Sequence, residues 1–158
     1  IAPARAGEPD FSGGAARLAL AGGRMLEAPL IVAADGKASP LRASAGVRVN
    51  SWRYDQTAIV TTVAHERAHD GVAQELFLPS GPFAILPMTE NRSSIVWTER
   101  AKAAPAYLAL DDAAFLSELA RRFGDYLGAL SLAGPRFSYP LAFHLAQSFI
   151  APRLALIG

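Results

Sequence analysis

The sequence has 158 residues, of which 51% are apolar and 18% are charged, and its formal net charge is +1. This length suits one domain, and the apolar share is large enough for a packed core, so a disordered chain is excluded. The absence of cysteine excludes disulfides, thiolate catalysis and zinc–thiolate sites. Because the arginines are scattered among acidic residues, no basic face is predicted and nucleic-acid binding is not expected.

The chain lacks the sequence features of a secreted or membrane-spanning protein. Its apolar run Ala28–Ala34 is far shorter than the ~20 residues that a spanning helix needs. Polar and turn-forming residues occupy Gly7–Asp10, where a signal peptide would have its apolar core. We therefore expect a cytoplasmic location. The chain begins at Ile1 and ends after the run Leu154–Ile157, which is predicted to be a buried strand, so we expect a fragment of a longer protein.

The first third of the chain is predicted to hold a hairpin and a buried strand. Residues 15–20 and Met25–Glu27 flank a turn that contains Gly22 and Gly23, a pattern typical of a β-hairpin. The continuous apolar run Pro29–Ala34 is bounded by turn signals and predicts a strand buried on both faces.

A polar turn follows this strand directly. Asp35 leaves the strand, Gly36 permits a tight turn, and Ser39 is a favourable N-cap for a short helix. Arg42 falls in the first helical turn, where the helix dipole disfavours a cation, so a negative group is expected beside it. That group is either Asp35, in a local ion pair, or an external phosphate or flavin edge, and the spacing does not choose between them.

The middle of the chain predicts an antiparallel meander of four strands, because segments rich in Val, Ile, Thr, Phe and Trp alternate with turn signals. These segments are Tyr54–Ala64, Val72–Leu78, Phe83–Met88 and Ser93–Thr98.

One long helix and two further strands complete the prediction. Asp111 or Asp112 caps a helix that runs to about Gly124 and carries a single apolar stripe, which is typical of a helix packed on a core. Its adjacent arginines, at positions 121 and 122, are expected on a solvated face. Residues 134–148 and 153–157 are predicted strands.

Residues His65–His69 match the zinc-hydrolase pattern H-E-x-x-H. That chemistry requires a helix, so that both imidazoles share one face and Glu66 can act as the base. The segment before it is rich in strand-forming residues and Gly71 follows at once, so we expect a strand end or a loop without metal. Zinc hydrolysis through His65, Glu66 and His69 stays a remote alternative.

Several segments, taken in order along nearly the whole chain, resemble the class A flavoprotein aromatic hydroxylases, and most closely the polyprenyl-phenol hydroxylases of ubiquinone biosynthesis. They are the D-G motif at 35–42, the Y-x-Q-x-A-I-V strand at 54–60, the F-x-P-x-G-P-x-A-x-L-P segment at 77–87, the segments 91–98 and 139–141, and the approach to a G-D motif at 153–158. The glycine fingerprint of a dinucleotide-binding domain does not occur in the chain.

The resemblance implies an FAD- and NAD(P)H-dependent monooxygenase that hydroxylates a hydrophobic phenol, with a peripheral association at the inner membrane. It also implies cofactor-binding roles for Asp35, Gly36, Ser39, Arg42 and Gly158, whereas no residue is identified as catalytic. The fragment itself is expected to bind no cofactor, to be inactive, and to associate with itself through unpaired strand edges.

The resemblance further implies an α+β fold, with a mostly antiparallel sheet, one long packed helix and a small βα remnant of the FAD domain. Residues 1–46 would be that remnant, 47–148 the substrate-binding domain, and 149–158 a truncated strand returning to the FAD domain. A stand-alone module that binds an apolar ligand is the alternative from a different functional class.

Overall fold

A computed structural model describes residues 4–157 of the chain. Its strands are β1 (Ala6–Asp10), β2 (Ala16–Leu20), β3 (Met25–Ala28), β4 (Ile31–Ala33), β5 (Val49–His65), β6 (Gln74–Leu78), β7 (Gly81–Pro87), β8 (Arg92–Arg100), β9 (Leu130–Leu132), β10 (Phe137–Ala146), β11 (Ile150–Ala151) and β12 (Leu154–Leu156). Its helices are α1 (Pro40–Ser44), α2 (Ala104–Leu108) and α3 (Asp112–Phe123). None of these helices is long and apolar enough to cross a bilayer.

The strands form a six-stranded sheet in the order β10-β5-β8-β7-β6, with β9 also paired to β5, and two three-stranded sheets, β1-β2-β3 and β11-β12-β4. The hairpins and the meander are antiparallel, and β4 and β12 run parallel. The predicted mostly antiparallel architecture is therefore confirmed. Two compact units divide the chain: the first comprises the described parts of 1–52 and 143–158, and the second comprises 53–142.

In the first unit, the predicted hairpin is confirmed as β2 and β3. Its register pairs Ala16 with Ala28 and Ala19 with Met25, and the turn contains Gly22 and Gly23. Both glycines have positive φ, of 93° and 83°, a conformation that L-residues with a side chain rarely adopt. The glycine pair is thus what allows the chain to reverse here.

The prediction of a strand at Pro29–Ala34 was right about the strand and wrong about its burial. β4 is only three residues long, and of its side chains only Ala33 is buried, whereas Val32 and the preceding Leu30 are about half exposed. β4 is the outer strand of its sheet, so one of its two edges pairs with no other strand of residues 4–157. The predicted buried strand at Leu154–Ile157 was likewise right about the strand and only partly right about its burial. Leu154 is buried, but Ile157 lies outside β12 and is 65% exposed.

The second unit holds the hydrophobic core, and alternate residues of its strands point into that core. On β5, Ile59, Thr61 and Val63 all face inward and are almost fully buried. Strands β7 and β8 contribute to the same cluster, as do helices α2 and α3. The fully assembled cluster consists of Ile59, Val63, Phe83, Ile85, Ile95, Trp97, Ala104, Phe115, Leu119, Phe123 and Leu127.

Helix α3 forms as the sequence predicts. Asp111 is its N-cap and accepts a hydrogen bond from the Ala114 amide at 2.8 Å, and Gly124 ends it with φ of 80°. Phe115, Leu119 and Phe123 recur every four residues and are buried to 2% exposure or less. Burial of each such side chain contributes about 1.5–3 kcal/mol, so this stripe accounts for the position of α3 on the sheet.

Arg122 is not solvated, contrary to the sequence-based expectation. Its side chain is only 17% exposed, and its guanidinium lies over the Trp97 ring, 4.1 Å from the centroid. Nη2 lies 3.4 Å from a carboxylate oxygen of Glu99, which is 8% exposed, and Nη1 lies 3.0 Å from Glu118. Arg121, by contrast, is 72% exposed. A stacked, doubly paired guanidinium on α3 is thus buried against β8.

The turn between β6 and β7 is held by a side chain of β5 and by a backbone carbonyl of β8. Gln56 donates to the Ser80 carbonyl at 2.8 Å, and the Ser80 hydroxyl donates to the Thr98 carbonyl at 3.1 Å. Gly81 has φ of 139°, and a Cβ there would lie 2.5 Å from Cγ2 of Thr98. Only glycine fits, because both the backbone conformation and the close approach exclude a side chain.

We predict that Arg122→Leu lowers the free energy of unfolding by about 3–5 kcal/mol, because Glu99 is then a buried carboxylate without its cation. Arg122→Lys should recover only part of this loss, since an ammonium cannot reproduce the planar stacking and two-sided pairing. The matched control is Arg121→Leu, which should cost about 0.5 kcal/mol or less. Urea unfolding monitored by Trp fluorescence measures all three, and equal losses at 121 and 122 would contradict the prediction.

Candidate functional site

The polar turn after β4 has the geometry that its sequence predicts. Gly36 has φ of 79°, and its carbonyl accepts a hydrogen bond from the Ser39 amide at 3.0 Å. Ser39 is 5% exposed and caps α1, with its hydroxyl accepting from the Arg42 amide at 2.9 Å. The turn is thus closed by local hydrogen bonds before any ligand is considered.

Asp35 serves the same turn. Its carboxylate accepts a hydrogen bond from the Leu41 amide at 3.3 Å. Partial burial raises the pKa of Asp35, but hydrogen bonds from Ser39 and Leu41, with the charge of Arg42, outweigh it and hold the pKa below its ordinary value. Two of the first amides of α1 are therefore already occupied by the chain's own Asp35 and Ser39.

Arg42 does not form the ion pair that the sequence allowed. Its Nη1 donates to the Lys37 carbonyl at 2.9 Å, and no carboxylate of residues 4–157 lies within salt-bridge distance of its guanidinium. Asp35 acts on Arg42 only through the longer-range attraction between their charges. The guanidinium keeps N–H groups that no hydrogen bond of the described chain uses.

A cleft of about 260 Å³ lies beside the turn, within the first unit. Of the sequence-predicted site residues, the structure brings Asp35, Ser39 and Arg42 to its wall, Gly36 shapes the turn without lining it, and Gly158 lies outside the described residues. The other lining residues are Ala33, His144, Leu145, Ala146, Phe149, Leu156 and Ile157.

His144 is the lining residue that sequence reasoning missed. The sequence placed it in a strand, and β10 confirms that, but no motif connects it with the turn more than a hundred residues earlier. Its Nε2 is one of two buried polar side-chain atoms in residues 4–157 that have no hydrogen-bond partner, the other being the Tyr126 hydroxyl. Burial alone raises the pKa of that tyrosine.

Residues 65–69 lie where the sequence predicts, at a strand end and in the loop after it. His65 is the last residue of β5. Its Nδ1 lies 2.7 Å from the Arg67 carbonyl, which can only accept, so Nδ1 donates this hydrogen bond, and Nε2 lies 3.1 Å from the Ser93 hydroxyl. His65 is thus a buried structural residue.

His69 is occupied in the same way. Its Nε2 lies 2.9 Å from the Met88 carbonyl and 3.0 Å from the Glu90 carbonyl, and its Nδ1 accepts from the Gly71 amide at 3.0 Å. A zinc ion would have to displace these partners, and it would find a loop where the motif needs a helix. No group of three or more metal-ligating side chains is found in residues 4–157.

Comparison with known proteins places the chain in context. No family model matches it. The ubiquinone hydroxylase UbiL of Rhodospirillum rubrum is 52% identical over 160 residues, a match that covers 100% of this chain and 37% of that protein. The 3-demethoxyubiquinol 3-hydroxylase of Escherichia coli strain K12 is 33% identical over 142 residues, covering 89% of this chain and 36% of that protein. The chain is a homologue of the ubiquinone-biosynthesis hydroxylases.

The fold agrees with this homology. A solved structure of CmlS, a flavin-dependent halogenase, superimposes on 98% of this chain and 30% of its own with a TM-score of 0.73 at 18% identity, which shows a shared fold. The chain spans little more than a third of the length of the ubiquinone hydroxylases that it matches, as expected for a segment of a longer protein. Neither comparison supports the apolar-ligand module or the zinc hydrolase.

We predict that the effect of Asp35→Asn on stability depends on pH. The pKa of Asp35 in the folded chain lies below the ordinary 3.8, so its carboxylate stabilises the fold above that value, and the contribution is lost as pH falls through the folded pKa. Asp35→Asn should therefore destabilise the protein near neutral pH, and the difference from the unchanged protein should shrink in acid. Urea unfolding across this pH range measures it, and a pH-independent difference would contradict the assignment.

Proposed function

We propose that this chain is the substrate-domain segment, with part of the nucleotide side, of an FAD- and NAD(P)H-dependent monooxygenase. The parent protein would hydroxylate a polyprenylated phenol in ubiquinone biosynthesis. The observation that carries the proposal is the 52% identity to UbiL over the whole chain, which reaches the turn at Asp35 and the core of the second unit alike.

The residues on the cleft fit a nucleotide cofactor. Arg42 offers unused N–H donors, Asp35 and Ser39 fix the turn that carries it, and the remaining wall is mostly apolar. When bound, FAD reduced by NAD(P)H supplies the oxygen-activating chemistry. This chain would contribute binding at Asp35, Gly36, Ser39, Arg42 and Gly158, with the guanidinium holding a negatively charged group and the turn keeping it in place.

The domain roles form part of the proposal. Residues 1–46 would belong to the FAD domain, 47–148 to the substrate-binding domain, and 149–158 to a strand that returns to the FAD domain. The two compact units support a division of this kind, although their limits are 52/53 and 142/143 and fall within β5 and β10. The antiparallel sheet would exclude water from the reacting ring.

An apolar phenolic substrate suits the second unit. On the face of its sheet opposite the core, Phe77 is 83% exposed, and Leu86 and Met88 are each 42% exposed. Exposed apolar surface of this kind is typical of a binding face. A substrate with a prenyl chain would reside in a membrane, so the parent protein would be cytoplasmic with a peripheral association at the inner membrane. The short chain would associate with itself through the free edge of β4.

We predict that Asp35→Ala or Arg42→Ala in the longer protein slows NAD(P)H-driven flavin reduction roughly tenfold, the effect of losing one charge-assisted hydrogen bond. Stopped-flow absorbance measures the reduction rate, and thermal unfolding measures the fold. The control is Arg17→Ala, because Arg17 forms an exposed ion pair with Glu27 on the hairpin away from the cleft. Normal rates of flavin reduction in both the Asp35 and the Arg42 variants would show that the turn has only a structural role.

We predict that the purified 158-residue chain is colourless and inactive with NAD(P)H and any phenol. FAD binding needs a glycine-rich turn at a helix N-terminus for the pyrophosphate and an acid for the ribose, and this sequence contains no such glycine fingerprint. The longer protein should be yellow. Both proteins are incubated with FAD, the unbound FAD is removed by dialysis, and absorbance spectra measure the flavin that stays bound. Stoichiometric flavin in the short chain would overturn the prediction.

A further inference from the structure

A half-buried histidine on the cleft, His144, has one buried ring nitrogen without a hydrogen-bond partner. His144 lines the cleft from β10, and its Nε2 is shielded from water and bonded to no atom of residues 4–157. A buried polar atom without a partner destabilises the fold, so such atoms are rare in folded proteins and call for an explanation. A bound group in the adjacent cleft would supply the missing partner.

The charges on the cleft show why a second donor is needed. Arg42 brings one positive charge, and the Asp35 carboxylate on the same turn offsets much of it. Both Asp35 and Ser39 bond the turn itself, so they support binding by keeping the turn in shape, and Arg42 is the residue of the turn that offers free donors to a ligand. A phosphate with up to two negative charges would therefore be held weakly by Arg42 alone, and more firmly by Arg42 together with an imidazole.

The surroundings of His144 add to this argument. The cleft is otherwise lined by apolar side chains, among them Leu145, Phe149 and Leu156, and these offer no competing hydrogen-bond partners to a bound group. Hydrogen bonds to a charged group are stronger in such surroundings than in water. A volume of about 260 Å³ can hold a phosphate with part of the sugar attached to it, but not a whole dinucleotide.

We propose that His144 is a further cofactor-binding residue, which shares with Arg42 a phosphate group of the bound nucleotide. The inference rests on the proposed cofactor role of the turn, and it adds a residue from the other end of the chain. The phosphate can come from FAD or from NAD(P)H, since the chemistry that recognises it is the same. His144 binds the group and takes no part in the hydroxylation step.

The test uses the longer protein that contains this chain. His144→Leu removes the imidazole, and His144→Gln keeps a side chain that can donate a hydrogen bond. Flavin fluorescence during titration of the apoprotein gives the dissociation constant of FAD, and the dependence of the stopped-flow reduction rate on NAD(P)H concentration gives that of the reductant. Thermal unfolding of each variant without cofactor monitors the fold.

We expect His144→Leu to raise the dissociation constant of one of the two cofactors roughly tenfold, as for a lost hydrogen bond to a charged group. His144→Gln should keep most of the original affinity. The cofactor that loses affinity is the source of the phosphate. Because Nε2 has no partner in residues 4–157, His144→Leu should leave the melting temperature of the apoprotein unchanged or raise it.

Two results overturn the inference, and they differ from failure of the proposed function. If both dissociation constants stay unchanged in His144→Leu while Asp35→Ala and Arg42→Ala still impair reduction, the turn binds the cofactor and His144 does not. If the His144→Gln variant binds the cofactor as weakly as the His144→Leu variant, the histidine acts by filling space and not by donating a hydrogen bond. If variants at 35, 42 and 144 all behave normally, the proposed cofactor role of the cleft fails as a whole.

Discussion

The second unit depends on how one buried cation is accommodated. Arg122 enters the protein interior on α3, and its charge is met by Glu99 on β8 and Glu118 on its own helix, while the Trp97 ring covers one face of the guanidinium. Such a group is tolerated only where every partner is in place, since an unpaired charge in the interior costs several kcal/mol. Rotation or sliding of α3 would break the contacts of Arg122 with Glu99 and Trp97 together.

The buried pairing of Arg122 also fixes the position of helix α2. The Trp97 indole donates to Glu99 at 3.1 Å, and Arg122 donates to the Tyr107 hydroxyl at 3.2 Å, so α2 is tied to the same network. A core of aliphatic side chains alone would permit several similar positions of the helix. The polar network selects one of them, because only one position satisfies the hydrogen bonds of Trp97, Glu99, Tyr107 and Arg122 at once.

The sequence predicted the parts of the fold that follow from local periodicity and turn chemistry. The strand at Tyr54–Ala64, the α3 stripe and the capped turn at Ser39 were all correct, because each depends on neighbours within a few residues. It did not predict β1 (Ala6–Asp10), whose composition of Gly, Glu, Pro and Asp disfavours a strand and which forms only because β2 pairs with it. Nor did it predict the five-residue α2, which is too short to show a helical period.

The candidate site shows the same limit. The spacing of Asp35, Ser39 and Arg42 located the turn, but it left open whether the two charges pair with each other, and the answer depends on which backbone amides the carboxylate meets. His144 joins the cleft through the tertiary fold, at a distance along the chain that no motif spans. The burial of Arg122 was missed for a related reason. Arg121 and Arg122 are adjacent arginines on one helix, and only the packing of α3 on the sheet decides which of them is exposed and which is covered.

The turn between β6 and β7 has a consequence for how homologous sequences can diverge. Position 81 is restricted twice, once by its φ of 139° and once by the methyl group of Thr98. Replacing Thr98 by a smaller residue would remove its methyl group, but a Cβ at 81 would still lie 2.8 Å from Gln56 Nε2 and 2.9 Å from the Cβ of residue 98, and the conformational restriction would remain. No single compensating change therefore allows a side chain at 81. Residue 98 can therefore drift among small residues while 81 stays glycine, and the two positions should show no covariation despite their contact.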